Sequence, residues 1–160
     1  MTQALTDRQL NRATLARQLL LERSDMGITE TIAWLLGMQA QQTHDPYIGL
    51  WSRLNGFTHE GLTALIVDRT LARATTMRGT LHLHTADDLI GIRALVQPFL
   101  RSVWQSNFRK RFGDNDEAQV LELARALLDA EPMTAGQLGK RLAERFPTAE
   151  PLAMTMLLQT

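Results

Sequence analysis

Apolar residues in the first seventy positions recur at three- and four-residue spacing, interrupted by residues that cap or stop helices. In TDRQLNRATLARQLLLER (6–23), Leu10, Leu15, Leu19 and Leu20 share one helical stripe behind Thr6 or Asp7 as N-cap. Gly27 breaks this pattern. Thr29 opens a second segment with Ile32, Ala33, Leu35 and Leu36 on its apolar face, and Gly37 stops it. Asp45–Pro46, a cap residue followed by proline in the first turn, predicts a third helix through YIGLWSRL to Asn55–Gly56. Thr58 caps a fourth, HEGLTALIVDRT.

From residue 71 the period changes. In LARATTMRGTLHLHT (71–85), Leu81 and Leu83 alternate with Thr80, His82 and His84, and Met77–Gly79 supplies a turn, so two short strands form a hairpin. Helices followed by a two-stranded wing predict a winged helix-turn-helix unit over 1–85. Its expected core is Leu15, Leu19, Ile32, Leu35, Leu36, Leu50, Trp51, Leu62, Leu65, Ile66 and Leu81. Thr85 or Asp87 then caps a long helix to about Asn107, in which Pro98 removes a backbone bond and predicts a kink near 94–98. RKRFGDND (109–116) reads as a linker, so 86–113 is a connecting helix and linker. Beyond it come a helix over 117–130, a capping box from Thr134 to Gln137 before LGKRLAERF, a stop at Pro147 and a further helix start in PLAMTMLLQT. This repeats the opening pattern without a wing, and predicts an incomplete second winged-helix unit over 114–160. The fold class is mainly α.

Composition narrows the chemistry. The 160 residues are 44% hydrophobic and contain no cysteine, which excludes a disulfide framework and Cys-based zinc. No apolar run suffices to span a membrane, and the arginine-bearing first residues lack the apolar core of a signal peptide, so a cytoplasmic protein is expected. Net charge is zero but unevenly placed: 13 basic against 9 acidic residues in 1–113, and 4 against 8 in 114–160. Fifteen of the 17 cations are arginine, whose planar fork suits phosphate. His82 and His84, two apart on a strand, share a face, but no metal-ligand motif accompanies them or His44 and His59. They are expected to be wing-surface histidines, with no metal or cofactor. The seven methionines and three tryptophans read as packing.

LLGMQAQQTHDPYIGLW (35–51) is unusual for placing Gln39, Gln41 and Gln42 together after a helix stop. In a helix, positions i and i+2 point about 200° apart, but in extended backbone Gln39 and Gln41 share a face. Glutamine cannot act as a general base. Its carbonyl oxygen can hold a water, and its NH2 can bind an oxygen.

LNRATLARQ (10–18), LLGMQAQ…PYIGLWSRL (35–54) and ARATTMRGTLHLHTADDL (72–89) resemble the AlkZ-like winged-helix family. Characterised members are DNA glycosylases that unhook interstrand crosslinks. The resemblance spans essentially the whole chain but less than half of a full-length member. It implies that QAQ at 39–41 is the family's Gln–apolar–Gln signature, with Gln39 and Gln41 catalytic. It further implies removal of N7-alkylated purines from double-stranded DNA by a monofunctional enzyme. Such a base already carries positive charge and needs little acid catalysis, so two amides holding a water can suffice.

For the DNA backbone, Arg73 and Arg78 on the hairpin and Arg12, Arg17 and Arg53 on helices are the candidate phosphate ligands. Arg53 pairing with Asp45 or Asp68 is the structural alternative. A monomer is expected. Two other classes remain open: a non-catalytic winged-helix transcription regulator, which reads sequence and releases no base, and an interaction module that binds no DNA.

Overall fold

A computed structural model of the protein describes residues 4–160. It is mainly helical with a small three-stranded antiparallel sheet, and divides into two compact units, one ending at Ala94 and one spanning Leu95–Thr160.

In the first unit, α1 (Asp7–Arg17) begins with a complete capping box: the Thr6 hydroxyl accepts from Gln9 N, and the Gln9 side chain accepts from Thr6 N. The helix ends six residues earlier than its leucine-rich pattern suggests. Leu19 adopts φ 54°, and Leu20 N donates to Leu15 O at 2.9 Å. α2 (Ile28–Trp34) ends the same way, with Leu36 at φ 56° and Gly37 N donating to Ile32 O at 2.9 Å. Both are Schellman ends that use a left-handed leucine where glycine is the usual residue. β1 (Met38–Gln39), α3 (Asp45–Trp51), α4 (His59–Val67), β2 (Leu71–Thr75) and β3 (Leu81–Thr85) follow. A 3-10 turn at Met77–Gly79 closes the hairpin, with Arg78 and Gly79 both at positive φ.

The sheet order is β1-β3-β2. Helix, strand, two helices and hairpin, with the first strand laid against the last, is the winged-helix arrangement, and the hairpin alone was only part of it. The core joins Ile32, Leu50 and Leu62 of the expected set to Ala40, Leu54, Leu71 and Leu83. Leu15, Leu19, Leu35, Leu65 and Leu81 are half-buried. Leu36, Trp51 and Ile66 are exposed, contrary to expectation. Leu36 is the left-handed end residue of α2, and Trp51 lies on the surface under the Arg23 guanidinium, 4.7 Å from its ring centre.

α5 (Ala86–Asn107) starts under Thr85, whose hydroxyl accepts from Asp88 N at 3.1 Å. Pro98 lies inside it and has no N–H to offer the carbonyl of Ala94, and the two units divide at that point. The expected linker is ordered instead. α6 (Arg109–Phe112) puts Phe112 fully inside the second core, edge-on to Trp104. The basic run conceals an aromatic anchor.

α7 (Glu117–Ala130), α8 (Ala135–Arg145) and α9 (Pro151–Leu157) complete the second unit. Asp116 caps α7, and both bonds of the Thr134–Gln137 capping box form at α8. The faces they bury include Val120, Leu142 and Met154 around Trp104, whose indole N–H donates to Ala153 O at 2.9 Å. Among the described residues no helix is long and apolar enough to cross a membrane.

Candidate functional site

The Schellman end of α2 delivers the chain directly into β1. Met38 pairs with Leu83 and Gln39 with His82; β2 continues the rows, with Arg73 opposite Leu83 and Ala74 opposite His82. Residues directly opposite in an antiparallel pair share a face. Gln39, His82 and Ala74 therefore lie on one face, and Met38, Leu83 and Arg73 on the other.

Past Gln39 the ladder becomes irregular. Ala40 N still donates to Leu81 O at 2.8 Å. The Ala40 carbonyl accepts from Arg73 Nε at 2.7 Å, and the Gln41 carbonyl from Arg73 Nη2 at 3.1 Å. Leu81 N donates to the Gln41 side-chain oxygen at 3.2 Å. A backbone N–H can only donate, so the amide oxygen must be the atom facing Leu81, and the Gln41 NH2 group is the part left for other partners. Gln42 N donates to Asp45 Oδ2 at 2.9 Å, tying the segment to the start of α3. Gln39, Gln41 and Gln42 are all exposed. The sequence places Gln39 and Gln41 in extended backbone, and the structure gives each a distinct setting: Gln39 in the strand beside His82, Gln41 just beyond it with its amide anchored.

The candidate phosphate ligands separate into two groups. Arg12, Arg17 and Arg78 are exposed. Arg53 is turned inward: Nε donates to Gln18 O at 2.8 Å and Nη1 to Gly49 O at 2.8 Å, so it closes the ends of α1 and α3 with carbonyls, not with Asp45 or Asp68. Burial lowers its pKa from the ordinary arginine value. Arg73 is exposed as well, but its guanidinium is likewise committed to carbonyls.

His82 and His84 are buried, not surface residues of the wing. His84 packs against the backbone of Gly37, where there is no side chain, and its Nε2 lies 2.9 Å from Thr76 Oγ1. His82 Nδ1 lies 3.0 Å from Thr80 O. Among the described residues no group of three or more His, Cys, Asp or Glu comes together to hold a metal.

Burial, and after it the neighbouring His82, lowers the pKa of His84 from 6.5; the Leu36 backbone and Asp88 pull the other way. A depressed histidine pKa means that the folded state binds the proton less well than the unfolded state. Stability is then complete above about pH 6.5, and declines as pH falls from there toward the folded value. The thermal midpoint of the first unit should drop over that interval, and His84→Gln should flatten the decline. An equal pH dependence in the variant excludes His84 as its source.

A cavity of about 490 Å³ opens on the Arg73 face, walled by Ala40, Tyr47, His59, Ile66 and Arg73. Tyr47 and His59 stack in it with ring centres 4.3 Å apart. Because Gln39 projects from the opposite face, this cavity is separate from the surface that its amide addresses.

A winged-helix unit with an amide-bearing segment at the end of its first strand, followed by a helical unit, defines the structural class of the chain. The chain belongs to the DNA glycosylase AlkZ-like family, whose model matches residues 32–160. Its fold is similar to that of Streptomyces sahachiroi DNA glycosylase AlkZ, with a TM-score of 0.75 at 21% identity, over 98% of this chain and 45% of that one. The chain thus spans less than half the length of that protein. No curated protein matches it in sequence.

Proposed function

We propose that the chain carries the catalytic amides of a monofunctional DNA glycosylase acting, as a cytoplasmic monomer, on N7-alkylated purines or crosslinks in double-stranded DNA. The observation that carries this reading is the Gln39–Ala40–Gln41 segment, fixed at the sheet edge by Arg73 and Leu81 in a chain of this family. In the reaction the bond between sugar C1′ and purine N9 breaks, and its electron pair neutralises the cationic base. A water oxygen bonds to C1′, and the water's proton passes to solvent. The Gln39 carbonyl oxygen accepts a hydrogen from that water and faces the cationic sugar, while the Gln41 NH2 donates to the water's oxygen. No titrating base is needed, because the leaving group is already activated. The test is release of 7-methylguanine from a methylated duplex by the natural full-length protein. No release above the spontaneous rate refutes the reading.

Arg12, Arg17 and Arg78 remain as phosphate contacts. Three such contacts correspond to a slope of about −2.7 in log affinity against log salt, or roughly a 40-fold loss between 50 and 200 mM. Titration of a duplex in that range should show it. Salt-insensitive binding removes these arginines from the interface.

A further inference from the structure

We propose that Arg73 is the positioning residue of the Gln39–Gln41 segment and not a DNA contact; the inference builds on the glycosylase reading above. In an undisturbed antiparallel ladder, the bond from Ala40 N to Leu81 O would be returned by one from Leu81 N to Ala40 O. Here the paired register ends at Gln39 and His82. The Ala40 carbonyl is taken by the Arg73 guanidinium at 2.7 Å, and the same guanidinium takes the Gln41 carbonyl at 3.1 Å. Leu81 N, left without its backbone acceptor, holds the Gln41 side-chain oxygen at 3.2 Å. The three bonds form one exchange: arginine in, backbone acceptor out, side-chain acceptor substituted.

The geometry suits arginine in particular. Arg73 lies on β2, and β3 stands between it and β1. The side chain therefore crosses the middle strand on the face of Leu83 and grips two successive carbonyls with two donors of one rigid fork. Charge-assisted bonds of this kind outcompete a neutral ladder bond, and a lysine ammonium cannot reproduce the paired geometry. The result is a Gln41 amide with one orientation, its oxygen spent on Leu81 and its NH2 presented outward. A preorganised donor is worth most when it need not reorient during reaction.

The test is a double-mutant cycle in the natural full-length protein, with single-turnover release of 7-methylguanine from a methylated duplex as readout. Arg73→Ala should slow release about 10-fold or more at saturating enzyme, with duplex affinity and its salt slope unchanged. Arg73→Lys should fall between the two. In a Gln41→Ala background, Arg73→Ala should add little, because it acts through that amide. A reduced salt slope with unchanged saturated rate makes Arg73 a phosphate contact and overturns the proposal. Losses that multiply in the double mutant overturn it as well. NMR of the Gln41 side-chain NH2 and the Leu81 amide separates this inference from the parent reading. In Arg73→Ala the Gln41 side-chain resonances should move toward solvent-exposed values, and the Leu81 amide should shift as it exchanges the side-chain acceptor for the freed Ala40 carbonyl; both should stay closer to wild type in Arg73→Lys. If the wild type releases no base but these signals move, only the glycosylase reading fails. If they do not move in Arg73→Ala, the positioning role fails whatever the activity.

Discussion

Gln39→Ala and Gln41→Ala should each slow release of an N7-alkylguanine from duplex DNA by about 10–1000-fold, the range for removing one preorganised polar group from a reacting centre. DNA affinity should change little, because neither amide neutralises a phosphate. The two variants are not equivalent in their structural consequences. Gln39 is exposed within β1, and its backbone pairing with His82 survives loss of the amide. Gln41→Ala additionally leaves Leu81 N without its acceptor at an exposed position, where water can replace it. Gln42 is the internal control: its backbone N–H bonds Asp45 and its side chain has no assigned task, so Gln42→Ala should be nearly silent. Gln41→Glu sharpens the assignment. It keeps an oxygen for Leu81 but replaces the outward NH2 by a second oxygen, so it should lose rate as Gln41→Ala does. The rate should also be nearly flat between about pH 6 and 8, since glutamine does not titrate. A steep loss below about pH 6.5, beyond that which follows the His84-linked loss of stability, would implicate a titrating base and not the amides. Full activity in the double glutamine variant would falsify the catalytic assignment.

How far such a site can be read from sequence depends on the range of the interactions that build it. Local signals were legible. The Thr134–Gln137 capping box, the helix start at Asp45–Pro46 (with His44 and not Asp45 at the cap), the hairpin turn at Met77–Gly79 and the proline inside α5 are each written within a few residues. The two-residue strand β1 was not, because nothing in Met38–Gln39 demands a strand; its partner lies over forty residues away in β3. Arg53 and Arg73 read as phosphate ligands, with a carboxylate as the alternative for Arg53, for the same reason. Arg53 donates to a carbonyl 35 residues away as well as to the nearby Gly49 O, Arg73 to one 33 residues away, and a carbonyl leaves no mark in sequence. His82 and His84 look like the polar half of an alternating strand. The burial of His84 follows from the backbone of Gly37 lying against its ring, a contact that periodicity does not encode.

That contact makes Gly37→Ala the substitution expected to damage the first unit most. Gly37 adopts φ 105°, where an L-residue is strained, and a Cβ there would fall 2.5 Å from His84 Cε1 and 3.0 Å from Leu83 O. Neither neighbour can give way cheaply. The imidazole is fully buried and held by Thr76, and Leu83 O belongs to the backbone of the central strand. Strain of roughly 1–2 kcal/mol and overpacking of roughly 1–3 kcal/mol together predict a loss of about 2–5 kcal/mol. For a unit of this size that lowers the melting temperature by about 10–30 °C. Gly56→Ala supplies the reference: φ is 66°, but nothing lies within 4 Å of its would-be Cβ, so only the strain is incurred. The difference between the two variants isolates the clash with β3. His84→Ala should partly rescue Gly37→Ala by vacating the space, although it loses the bond to Thr76. Activity should fall along with stability, since β1 begins at the next residue and carries Gln39. Equal melting temperatures for Gly37→Ala and Gly56→Ala would mean that β1 does not depend on this close approach.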